Sequence, residues 1–130
     1  MAKTPVTLKV KDFEDREVLK VDYTFSQATD VEGQLAGIPR FGKVVVRVKA
    51  MNDGNNQMLQ WMLAANDPRD MEIVFENTID GSALKTIKGT GCYCVHYVER
   101  WEEGIGHYEE MTISCQTLEN GPVKFDNPWK

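Results

Sequence analysis

Val6, Leu8 and Val10 alternate with Thr7, Lys9 and Lys11, which sets apolar side chains on one face of an extended segment and ammonium groups on the other. The pattern predicts a strand. After a turn over Asp12 to Arg16, Leu19, Val21, Tyr23 and Phe25 alternate with Lys20, Asp22, Thr24 and Ser26, predicting a long half-buried second strand that forms a hairpin with the first. Val44, Val46, Val48 and Ala50 in Lys43 to Met51 repeat the period for a third. Asn52-Asp53-Gly54-Asn55 then supplies turn and N-cap chemistry. Met58, Trp61, Met62 and Ala65 recur at i, i+3, i+4 and i+7, the stripe of an amphipathic helix that Asn66-Asp67-Pro68 ends.

Met71 to Asn77 and Ala83 to Lys88 flank Asp80-Gly81, a dipeptide suited to a tight hairpin turn. Cys92 to Trp101 and Tyr108 to Leu118 are joined through Gly104-Ile105-Gly106. The expectation is about seven strands and one helix, arranged as a barrel or sandwich with the helix as plug or flank. One segment breaks the pattern. Residues 26–42, SQATDVEGQLAGIPRFG, hold three glycines and a proline and are too long for an economical turn; such loops usually carry function or disorder.

Composition narrows the function classes. At 130 residues and 42% hydrophobic content, the chain fits one domain over 1–130 with a core of its own. A net charge of −5 disfavours nucleic acid, since phosphate binding needs clustered Lys and Arg. No stretch approaches the ~18 apolar residues of a membrane span, and the start MAKTPVTLKV has no apolar signal core, so a cytosolic origin without membrane contact is expected. Three cysteines do not make a secreted disulfide framework, and reduced thiols are the default.

GCYCVHY, residues 91–97, is the one stretch that invites chemistry. On a strand, Cys92, Cys94 and His96 share one face at successive spacings of about 6.6–7 Å, while Tyr93, Val95, Tyr97 and Trp101 share the other. Zinc needs thiolates converging at about 2.3 Å, which Cys92 and Cys94 meet poorly, so the reading is packing, with no metal and no cofactor. The aromatic face is the expected core face. Pairing across the Gly104 to Gly106 turn places Cys94 beside Cys115 in one register and on opposite faces in the neighbouring one. The second is preferred, because it joins Met111, Ile113 and Cys115 to Tyr93, Val95 and Tyr97. A Cys94 nucleophile with His96 as base lacks an orienting third group, so no catalytic residue is assigned. Glu99, Glu102, Glu103, Glu109 and Glu110 around His107 read as a solvated face.

The whole chain resembles the tube protein of type VI secretion, the Hcp family, and within it the TssD-type branch of Bacteroidetes. Tyr23-Thr24-Phe25-Ser26-Gln27 with Asp30 and Gly33, Leu59-Gln60-Trp61-Met62, and Tyr93-Cys94-Val95-His96-Tyr97 carry the resemblance. Met111-Thr112-Ile113-Ser114 and Asn127-Pro128-Trp129 extend it. It implies a mainly β fold: a small β-barrel of two packed antiparallel sheets, with one flanking α-helix and a long extended loop. It further implies hexameric rings stacked into the hollow inner tube of a contractile injection machine. Sheath proteins would surround the tube, a VgrG-type spike would tip it, and small protein effectors would ride in its lumen. Such a subunit assembles in the cytoplasm, leaves the cell without a signal peptide and has no catalytic residues. The loop end Gly37-Ile38-Pro39-Arg40-Phe41-Gly42 is more apolar than the glycine-rich end expected of the branch.

The loop is therefore expected to be an arm to a neighbouring subunit or ring, with Asp30, Gly33, Leu35, Ile38, Arg40 and Phe41 at the interface. The rival for its apolar residues is folding back to close the end of their own barrel. Two rivals for the whole chain are a monomeric ligand-binding barrel, which needs a lined cavity, and a small thiol- or metal-dependent enzyme.

Overall fold

Alternation along successive segments closes into a ring of strands. A computed structural model describes residues 5–37, 40–41, 43–51, 53–64, 66–77, 79–80 and 82–127, with Arg40 and Phe41 described by their backbone alone. The elements are β1 (Val6–Val10), β2 (Arg16–Asp22), β3 (Phe25–Ser26), β4 (Arg40–Phe41), β5 (Val44–Lys49), α1 (Gln57–Leu63), β6 (Arg69–Glu76), β7 (Ala83–Glu102), β8 (Gly106–Asn120) and β9 (Val123–Asp126). Neighbours run β5-β2-β1-β6-β7-β8, and a further antiparallel pairing of β5 with β8 closes these six into a barrel. Closure removes the edges that an open sheet would expose. β9 continues the sheet beyond the barrel on β8, and β3 with β4 forms a separate two-stranded ribbon.

Inward residues fill the interior. Leu8, Val44, Val46, Val48, Ile73, Met111 and Ile113 are fully buried, each at the inward phase of its strand. Burying side chains of this size is worth about 1.5–3 kcal/mol apiece, enough to hold each strand's phase. The volume that a ligand-binding barrel would keep open is thus occupied by side chains. Met58 and Trp61 of α1 join the same core. Trp61 meets Phe13 of the β1–β2 turn edge to face at 6.1 Å and donates its indole N–H to the Asp67 carbonyl at 2.8 Å. The helix therefore caps the barrel end that carries the β1–β2 turn, and Asn66, at φ +56°, turns the chain out of it. Ala65, Gly81, Pro128 and Trp129 lie outside the described residues.

Three expectations need correction. The predicted long second strand is interrupted, because the β2–β5 register shifts between Val18 and Lys20. Arg16 and Val18 face inward before the shift and Val21 and Tyr23 after it, leaving Leu19 48% exposed. The two strands expected at Ala83 to Lys88 and Cys92 to Trp101 are one strand, β7, whose first part pairs with β6 and whose later part runs on with β8. β9, short and mostly exposed, has too little alternation to stand out in the sequence.

Candidate functional site

The late hairpin carries the residues with chemical potential, and its register decides what they can do. Cys92 pairs with Cys115, and Cys94 with Ile113, so the cysteines share a face with Met111 and Ile113. This overturns the preferred register and the expected core face. Cys92 and Cys115 are fully buried and Cys94 nearly so, whereas Val95 and His96 are exposed. The cause is a register shift between Cys94 and His96: the extra residue of the bulge throws His96 outward and returns Tyr97 to the inward row beside Met111. His96 is thereby parted from the cysteine face, and the Cys–His pairing that a nucleophile would use is not formed.

Burial pushes the Cys94 thiol up to about 11 from an ordinary 9.0, partly offset by a hydrogen bond from the His96 backbone; the thiol itself donates to the His96 carbonyl at 3.5 Å. A thiol held mostly in its neutral form, with no base and no partner thiol beside it, is a packing group and not a catalytic nucleophile at neutral pH. Replacing Cys94 by Ser is expected to cost about 1–3 kcal/mol through a buried hydroxyl, at the low end if it keeps the bond to His96. With the folded value raised, Cys94 contributes fully below pH 9 and its contribution is lost as pH rises through about 11. Urea melts of both proteins across that range check the cost and the slope; an equal alkaline loss in the Ser variant would count against it.

The carboxylates divide as well. Glu99 meets His107 at 2.8 Å on the surface, and Glu110 pairs with Arg47 at 3.1 Å beneath partial cover. Glu109 is not solvated, contrary to expectation. It is 2% exposed and lies on the inward row of Met111, Ile113 and Cys115. Its Oε1 accepts from Arg16 Nη2 at 2.5 Å and its Oε2 accepts from the Tyr97 hydroxyl. Arg16, equally buried, also donates to the Lys49 carbonyl at 2.9 Å. Burial, and then the bond to Glu109, raise the Tyr97 phenol well above its usual range. A carboxylate at the inward phase of a strand was the available signal, since it demands a buried cation or a proton.

The arm leaves the opposite end of the barrel. Asp30 organises its tip: Oδ1 accepts from the backbone N–H groups of Glu32 at 2.9 Å and Gln34 at 3.0 Å, and its own N–H donates to the Gln34 carbonyl at 2.8 Å. Gly33, at φ +84°, takes the left-handed turn and donates to the Asp30 carbonyl at 3.0 Å. Thr29 bridges to Leu35, and the Ala36 N–H donates to the Ala28 carbonyl at 2.8 Å. At the base, Ser26 pairs with Arg40 and Phe25 with Phe41. The Phe25 ring meets Phe125 of β9 at 5.0 Å, and Tyr23 accepts from Asn120 at 2.5 Å. The result is a self-paired ribbon standing on the β8–β9 end.

The apolar side chains described at its tip face solvent. Leu35 is 70% exposed and Val31 fully so, so Leu35 does not fold back over the barrel end. Asp30, Gly33 and Leu35 are brought together at the tip. Ile38 lies outside the described residues, as do the side chains of Arg40 and Phe41, whose backbone sits at the ribbon base. Sequence reading missed Phe25 and Phe125 as the clasp, because their partnership depends on where β9 lies.

Residues 2–130 match the family described as Hemolysin coregulated protein Hcp (TssD). The chain belongs to the Hcp (TssD) family. Membership makes it a tube subunit of type VI secretion, in a family of secreted structural proteins and not of enzymes. Among solved structures, Hcp1 from Flavobacterium johnsoniae is similar at a TM-score of 0.87 and 27% identity, over 95% of this chain and 99% of that one. A mutant of Hcp1 from the E. coli EAEC 042 pathovar is similar at 0.79 and 14%, over 98% and 100%. Hcp1 from Salmonella typhimurium follows at 0.72 and 11%, over 89% and 84%. These last two speak for the fold alone. No curated protein matches the sequence. Among the described residues, no helix is long and apolar enough to cross a membrane.

Proposed function

We propose that residues 1–130 form one Hcp domain, six copies of which close into a ring, and that rings stack through the arm into a hollow tube. The tube sits within sheath proteins, is tipped by a VgrG-type spike, carries small protein effectors in its lumen, and leaves the cytoplasm by the machine's own contraction without a signal peptide. The observation that carries this reading is the arm. Its tip is held by its own backbone bonds, yet presents Val31 and Leu35 to solvent, an arrangement that gains energy only when a second surface covers it. Lateral contacts have a candidate edge too. Beyond Cys92, β7 pairs with β8 alone among the described residues, leaving backbone groups available to a neighbour.

Sedimentation velocity tests the ring. The expected result is a species of six protomers persisting on dilution; monomer alone across a broad concentration range would overturn the proposal.

A further inference from the structure

The tube reading gives no role to the sulfur pair inside the barrel wall. Cys92 on β7 and Cys115 on β8 are direct cross-strand partners, both fully buried, with their sulfurs 2.8 Å apart. Gly89 makes room for them. A Cβ there would stand 2.6 Å from the Cys92 sulfur and 2.9 Å from that of Cys115, so a glycine on the inward face of β7 is what lets the two thiols meet. Cys94 lies one inward step along, opposite Ile113, with its sulfur turned to the His96 carbonyl. Of the three cysteines, two are placed to react with each other and the third is turned away.

We propose that Cys92 and Cys115 are an oxidation site: a dithiol in the reducing cytosol that becomes an intramolecular disulfide once the subunit meets peroxide outside the cell. Secretion, a property of the family, supplies the change of compartment. Peroxide is the oxidant that suits the site, being small enough to reach a buried pair through local opening of the sheet. The thiolate of one cysteine attacks a peroxide oxygen; an S–O bond forms, the O–O bond breaks, and the departing hydroxide takes a proton to become water. The second thiol attacks the resulting sulfenic sulfur; the S–S bond forms, the S–O bond breaks, and the thiol proton leaves with the hydroxyl as a second water. Two thiols and one peroxide thus give one disulfide and two waters, the sulfurs losing the two electrons that the peroxide gains. The hydrogen bond to Cys115 and burial both hold the Cys92 thiol well above its ordinary range, so thiolate is scarce and the pair stays silent until oxidant persists. Once formed, the bond ties β7 to β8 across a separation of 23 residues.

The test treats the assembled, reduced protein with hydrogen peroxide under native conditions, then blocks free thiols and maps peptides by mass spectrometry. The expected result is a loss of two hydrogens, a fall from three titratable thiols to one, a Cys92–Cys115 linked peptide, reversal by dithiothreitol and a higher Tm. Cys94→Ser should oxidise as the parent does, while Cys92→Ser and Cys115→Ser should yield no intramolecular link. Three unmodified thiols after prolonged treatment, a link through Cys94, or a link formed only in denaturant would each overturn the proposal. Ring assembly is measured separately by sedimentation, so failure of the oxidation leaves the tube reading standing, and failure of the ring leaves the sulfur chemistry standing.

Discussion

Replacing Glu109 by Ala is expected to destabilise the folded barrel by about 3–5 kcal/mol, the cost of leaving a buried charge without its partner. Arg16 is only 2% exposed and gives Nη2 to Glu109 and the Lys49 carbonyl, while its Nε and Nη1 already have no hydrogen-bond partner among the described residues. Removing the carboxylate leaves the guanidinium a single carbonyl and strips the Tyr97 hydroxyl of its acceptor. Arg16→Met should cost a similar amount, because the stranded group is then Glu109. The double variant Arg16→Met, Glu109→Leu should recover most of the loss or exceed the parent, since well-packed apolar replacements of a buried pair are commonly neutral or stabilising by about 1–4 kcal/mol. With Glu109→Leu added as the matching single variant, chemical denaturation of the parent, Arg16→Met, Glu109→Leu and the double yields the coupling energy directly. Additive single costs, or a cost for Glu109→Ala below about 1 kcal/mol, would show that the pair is screened and not buried.

Shortening the arm has the largest expected effect on assembly. Replacing residues 30–40 by a brief Gly/Ser link removes the Asp30 turn with Val31 and Leu35, none of which touches the barrel core. The melting transition of the monomer should therefore change little. Tubes should be lost altogether: each covered side chain of this size contributes roughly 1.5–3 kcal/mol, repeated at every subunit of a ring. Ordering costs oppose this at about 1 kcal/mol per residue. The ribbon's own pairing, from Ser26–Arg40 to Thr29–Leu35, meets part of that cost before a partner arrives. Electron microscopy of both proteins at equal concentration decides it. Tubes of normal length from the shortened chain would sink the arm assignment, while loss of folding would place the arm in the barrel's own stability. Milder variants separate the parts: Leu35→Ser should weaken stacking with the ribbon intact, and Asp30→Ala should weaken it by loosening the tip.

What the amino-acid order determined alone is the phase of strands with one wet face. Val6 to Val10 alternates strictly and Val44 to Val48 does so apart from Val45, and a strand's period of two leaves one way to bury such a run. Trp61 and Met58 were legible as helix core for the same reason, at a different period. The arm was legible as an interruption, with Leu35 as an apolar residue lacking a local reason. What only the tertiary structure decided are the places where a single extra residue resets the phase. The shifts at Leu19 and between Cys94 and His96 each turn the following side chains over, and no local pattern marks them, because a bulge answers to the curvature of a closing barrel. GCYCVHY shows this most plainly: both faces carry residues that a core accepts, so the run is ambiguous until β8 supplies Cys115 and Ile113 as partners. The Arg16–Glu109 pair, 93 positions apart, follows from closure as well, since barrel geometry alone brings β2 and β8 within reach across β5.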